Sequence, residues 1–187
     1  MRFLWIAALV FTLASCYPPV VTTPTPGGWP SHPARFFSFQ YPDGWRVEDD
    51  GNGQYIALYP PSGDSRPKIE IAYLSREIDA GENLLAWYQA YLRAAHGAPL
   101  PEIRVLHEET SPRPDGSPRR VLHTTTVTEM GPSQAIMITH GRLVLSIGTY
   151  THEEAATDIL RRIAQSLTLN PNAPTTLDEL RGAQNTE

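Results

Sequence analysis

The chain has 187 residues, 41% hydrophobic and 19% charged, with a formal charge of −5. That length favours one domain, and the apolar content suits one core and is too high for a fully disordered chain. A mildly acidic chain without a Lys/Arg cluster lacks the electrostatic footprint of a nucleic-acid binder, and a single cysteine excludes an intramolecular disulfide and a cysteine-based zinc site.

In chain order, Met1-Arg2 gives a positive start and Phe3 to Leu13 is a mostly apolar run. The run is long enough for a signal-peptide core and too short to span a bilayer comfortably. Ala14 and Ser15 are small, and the only cysteine, Cys16, follows. Leu13-Ala14-Ser15-Cys16 resembles the lipobox of bacterial lipoproteins. The resemblance implies that residues 1–15 are a signal peptide cut just before Cys16, whose sulfur carries a diacylglyceryl group. The chemistry requires a thiolate nucleophile, and two acyl chains of the palmitate type make a stable anchor where one does not. The expected location is the extracytoplasmic side of a bacterial membrane, in the cell envelope. Loss of residues 1–15 removes Arg2 and leaves −6.

Residues 16–34 continue as a tether with proline at 18, 19, 24, 26, 30 and 33. Proline fixes φ and lacks an N–H, which excludes a helix or an interior strand and favours an extended, partly stiff spacer.

Residues 35–169 hold the expected domain. "FFSFQYP" (36–42) alternates as a strand should, and "PDGW" (42–45) turns it. "WRVED", "QYIALYP" (54–60) and "KIEIAYL" (68–74) follow as strands, with "DDGNG" (49–53) as a further turn. Asp79 with Glu82 predicts a capping box, opening a helix with Leu84, Leu85, Tyr88, Tyr91, Leu92 and Ala95 at helical spacing and Gly97 as its stop. "EIRVLHEE" (102–109) is then a strand. "RRVLHTTTVTEM" (119–130), "QAIMITH" (134–140) and "LVLSIGTY" (143–150) predict an antiparallel meander, turned by "GPS" and by Gly141-Arg142. Thr151 and Glu154 predict a second capping box. Its helix places Ala156, Ile159, Leu160, Ile163 and Leu167 on one stripe and Arg161, Arg162 and Gln165 away from its centre. Residues 170–187 read as a polar tail with one short amphipathic piece, "TLDELR".

This order is α+β: an antiparallel sheet flanked by helices that bury their stripes against it. The opening aromatic strand, Tyr41-Pro42, Gly44-Trp45 and the closing Ser166-Leu167 resemble the Mog1/PsbP family. That resemblance implies a PsbP-like α/β/α sandwich over about 135 residues. By analogy it also implies a non-catalytic binding or assembly module.

The residues themselves point to no reaction. His107, His123 and His140 each fall on a strand, without metal-ligand spacing on one element, and only strand register decides whether they converge. There is no G-x-S-x-G, P-loop or GxGxxG pattern. "DDGNG" lacks the twelfth-position glutamate of an EF-hand, since Pro60 stands there. No cofactor or metal is expected, and no catalytic residue is assigned. Trp87, on the edge of the first helix's stripe, is the candidate partner anchor; packing at the sheet margin is its bland alternative. The leading expectation is a lipid-anchored envelope protein that binds another envelope protein or complex. A small-ligand or ion-binding lipoprotein is the alternative, and a hydrolase with an unrecognised site stands third.

Overall fold

A computed structural model of the chain describes residues 28–62, 68–97, 102–112, 118–128, 131–150 and 154–184. The expected signal segment, Cys16, most of the tether and Thr151 of the second capping box lie outside the described residues.

The strands are β1 (Ser31–Pro33), β2 (Phe37–Gln40), β3 (Arg46–Asp49), β4 (Tyr55–Tyr59), β5 (Ile69–Tyr73), β6 (Ile103–Pro112), β7 (Pro118–Thr128), β8 (Gly131–His140), β9 (Leu143–Thr149) and β10 (Thr168–Leu169), with β2 to β9 on the segments expected and β1 and β10 outside them. The helices are α1 (Leu84–His96), α2 (Glu154–Ser166) and α3 (Leu177–Gln184). Seven strands form one antiparallel sheet in the order β3-β4-β5-β9-β8-β7-β6, and β1-β2-β10 form a small second sheet. The expected α+β class holds, and the β7-β8-β9 meander pairs as anticipated.

Strand parity builds two cores. Leu143, Leu145 and Ile147 of β9 point to one face with Ile136 and Ile138 of β8, where Leu160 and Ile163 of α2 and the phenyl rings of Phe37 and Phe39 cover them. Val144, Met137 and Leu122 point to the other face, under Leu84, Trp87, Tyr88 and Leu92 of α1. The large sheet is thus the middle layer, with α1 on one side and α2, the small sheet and α3 on the other.

Four details differ from the sequence reading. Asn83 caps α1, its Oδ1 accepting from the Ala86 N–H at 2.9 Å. Asp79 and Glu82 instead close an isolated turn just before it. "GPS" is the start of β8, with Gly131 opposite Thr128. The folded region also extends past residues 35–169 at both ends. β1 recruits Ser31–Pro33 from the proline-rich stretch, which is admissible because β1 is an edge strand. The polar tail docks as well: Leu180 of α3 is buried, and the Arg35 guanidinium donates to the Ala183 carbonyl at 2.8 Å.

The β8–β9 hairpin tip fastens that tail. Gly141 has φ +57°, the Arg142 N–H donates to the Thr175 carbonyl at 2.7 Å, and the Ile78 N–H donates to the Arg142 carbonyl at 2.8 Å. A Cβ on Gly141 would stand 2.7 Å from the Thr175 carbonyl oxygen, while one on Gly182 of α3 meets nothing within 4 Å. Gly141→Ala should therefore destabilise the fold by about 2 kcal/mol or more. Gly182→Ala should be neutral or stabilise by up to about 1 kcal/mol. Urea unfolding of the two variants checks both.

Candidate functional site

Register decides which polar side chains meet. In the β6–β7 ladder His107 lies opposite His123, with a register shift between Val105 and His107. A bulge of this kind re-aims side chains at a sheet edge. Beside this pair, between the overhanging β6–β7 ribbon and α2, lies a cleft of about 540 Å³. Val121, Ile136 and Ile138 form its floor, and Arg119, Arg161, His107, His123 and Glu109 stand around it. That size is ordinary for a small-molecule site. His140 does not join the cleft. It sits at the far end of β8, opposite Leu143, with Nε2 donating to the Ala173 carbonyl at 3.3 Å.

The floor ends in a buried polar chain. His123 is 4% exposed. Its Nε2 lies 3.3 Å from Gln134 Oε1, and Gln134 Nε2 donates to Thr157 Oγ1 of α2 at 2.7 Å. With Gln134 donating onward, its Oε1 accepts from His123, which assigns the proton of the neutral imidazole to Nε2. Burial holds the His123 pKa below its ordinary value, the Gln134 bond opposes the shift, and Arg161 and His107 add to it.

The charged groups around the cleft are unequally matched. Arg161 pairs with Asp158 at 3.2 Å on the solvent side of α2. Glu109 pairs with His107 at 3.6 Å. Arg119 is half-buried, and its side chain makes no hydrogen bond or ion pair among the described residues. In the sequence, Arg119-Arg120 is a basic pair and no more. Only the strand pairing turns Arg119 to the α2 face with Val121 and His123, while Arg120 donates to the Glu82 carbonyl beside α1.

Trp87 is not a surface anchor. It is 0% exposed, its indole N–H donates to the Glu77 carbonyl at 2.7 Å, and its ring stacks on Tyr91 at 5.7 Å. The stripe of α1 is centred on Trp87 and Tyr88, whereas Ala95, expected on it, is exposed. Trp45 packs against the core beside the Pro42–Trp45 turn. "DDGNG" uses its carboxylates internally: Asp49 takes the Gly51 N–H and the His32 Nε2–H, and Asp50 takes the Asn52 and Gly53 N–H groups. Among the described residues no cluster of three or more His, Cys, Asp or Glu could hold a metal ion. A second cleft, of about 310 Å³, lies where the tether enters the domain, lined by Trp29, Tyr41 and Trp45, with Arg162 over the Trp29 ring at 4.0 Å.

The most exposed element is β6. Arg104 through Thr110 are exposed on both faces of the strand, including Val105 and Leu106 at 36% and 43%. Among the described residues, its outer edge is also the free edge of the seven-stranded sheet.

No protein-family model matches this sequence, and no curated protein matches it. The fold is similar to the solution structure of cyanobacterial PsbP (CyanoP) from Synechocystis sp. PCC 6803, with a TM-score of 0.50 and 14% identity over 84% of this chain and 99% of that one. The likeness shows a PsbP-like fold, as the motif at Tyr41–Trp45 and the closing helix implied.

Two measurements check this geometry. Trp87→Ala should cost about 3–5 kcal/mol of stability, as a truncated core tryptophan does; a surface anchor would cost almost none. Because the folded pKa of His123 lies below its unfolded value of 6.5, the unfolded state takes up the proton first. The His123 contribution is full above that value and is lost as pH falls through it toward the folded pKa. Denaturant unfolding between about pH 7 and pH 5 should show stability falling with acidification, and His123→Gln should flatten that slope.

Proposed function

We propose that the protein is a lipid-anchored envelope module, held by Cys16 on a proline-rich tether, that binds another envelope protein through the bare edge of β6. The observation that carries the reading is the exposure of β6 on both faces and along its outer edge. Its charged residues and its bulge guard against indiscriminate pairing, while its unpaired N–H and C=O groups can template a matching strand. The PsbP-like fold is consistent with a binding or assembly role, by analogy only.

The edge also states what it would accept. Arg104 stands at one end, Val105 and Leu106 in the middle, and Glu108 and Glu109 at the other end. An antiparallel strand with an acidic residue, two apolar residues and a basic residue would match it by β-augmentation. A second copy matches less well. The two-fold pairing that sets Arg104 opposite Glu108 centres on Leu106, so the irregular stretches of both strands coincide and the ladder breaks at its middle. The occupant is therefore an extended segment of a different protein.

Two experiments test the reading. Cys16→Ser should leave the protein unprocessed or release it from the membrane fraction; a mature-sized mutant that still pellets would end the lipid-anchor half. A photo-crosslinking residue at Leu106, in the lipidated protein in its own envelope, should give one discrete adduct mapping to an extended peptide of another protein. The same residue at Arg181 on α3 should give none. An adduct with a second copy, or no difference between the two positions, would overturn the edge-docking half.

A further inference from the structure

We infer that the cleft between α2 and the β6–β7 ribbon binds a small organic carboxylate with a compact apolar body, its carboxylate held by the Arg119 guanidinium. This does not rest on the docking at β6: the carboxylate site lies on the α2 face of the sheet around Arg119, and Leu106 and Glu109 border both surfaces.

The argument starts from charge. Around the cleft, Arg161 has Asp158 at 3.2 Å, and Glu109 lies 3.6 Å from His107 Nε2. Arg119 alone has no partner among the described residues, though it is half-buried. A guanidinium drawn partly out of water without a counter-charge loses solvation and regains nothing. It presents a planar fork of donors whose best partner is a bidentate carboxylate or phosphate. Glu109, on the same face of β6, is the internal candidate, yet it lies with His107 instead. Glu109 lines the same cleft, and its negative charge disfavours a doubly charged phosphate relative to a singly charged carboxylate.

The rest of the cleft defines the ligand's body. Val121, Ile136, Ile138 and Ala164 give an apolar floor, and Leu106 reaches in from the bulge. The buried His123, tied through Gln134 to Thr157, fixes one polar end of that floor. About 540 Å³ suits an aromatic acid or a short alkanoic acid, with a few polar groups orienting an otherwise apolar ligand.

The test is binding of carboxyl-13C benzoate, followed by NMR line broadening, to the full lipidated protein in nanodiscs with empty nanodiscs subtracted. Saturable binding is expected. Arg119→Gln should weaken it by about tenfold or more, the loss of a charge-assisted pair, and Arg119→Lys should recover only part. Gln165→Trp, an exposed position on the α2 side of the cleft, should block binding without touching the core, so a folding defect in the arginine variants does not decide the matter. Benzyl alcohol should bind about tenfold or more weakly, since it lacks the charge. No saturable benzoate binding above empty nanodiscs, or binding unchanged in both Arg119→Gln and Gln165→Trp, overturns the site. Inorganic phosphate competing as well as benzoate at Arg119 overturns the carboxylate assignment and leaves a simple anion contact.

Discussion

Everything in this molecule hangs on β9. It pairs antiparallel with β5 on one side and β8 on the other, and its side chains enter both cores. Those two ladders join the β3–β5 and β6–β8 meanders, which are otherwise separate in the chain. Leu143, Val144, Leu145 and Ile147 are all fully or almost fully buried, at roughly 1.5–3 kcal/mol of transfer free energy per side chain. A slip of one residue would turn Leu143, Leu145 and Ile147 toward α1 and Val144 toward α2. The alternation of β9 therefore sets the register of the whole sheet, and with it the layer on which each helix packs.

The tip of the same hairpin organises the periphery. Arg142 reaches Glu77 at 2.9 Å, and the other oxygen of Glu77 accepts from the Leu177 N–H at the start of α3 at 2.7 Å. The loop before α1, the β8–β9 turn and the C-terminal helix thus share one carboxylate, with Gly141 making the close approach sterically possible. A short amphipathic helix has little stability of its own. Here α3 is ordered by packing Leu177 and Leu180 on the core and by this polar knot.

The same geometry explains why the functional candidates lie at one margin. A helix of thirteen residues is about 20 Å long, whereas seven strands at about 4.8 Å spacing make a sheet about 29 Å across. α1 packs over β7 and α2 over β8 and β9; of β6, Ile103 packs against the α1 core, while Arg104 through Thr110 lie exposed beyond it. That overhang produces two surfaces. Its outer edge offers backbone groups to an extended chain, and its inner face, with the flank of α2, forms the cleft that holds the unmatched guanidinium of Arg119. Trp87 lies in the middle of the covered region, so its indole serves the core under α1.

What the sequence determined by itself was local. Period-two alternation marked β2 to β9, the Leu160–Ile163 stripe marked α2, and Gly97 and Gly141 marked a helix stop and a turn, because each signal depends on residues a few positions apart. Together with Tyr41–Trp45 and Ser166-Leu167 they pointed to the α+β class and the PsbP-like layering. The tertiary structure decided what depends on contacts distant in the chain. It set His107 opposite His123 and put Arg119 rather than Arg120 on the α2 face, because which face meets which helix follows register rather than composition. It buried Trp87, since a residue on the edge of a helical stripe is covered or bare according to how that helix is rotated on the sheet. It also took Ser31–Pro33 and α3 into the fold, because a short segment of weak intrinsic preference is ordered only by the surface it meets.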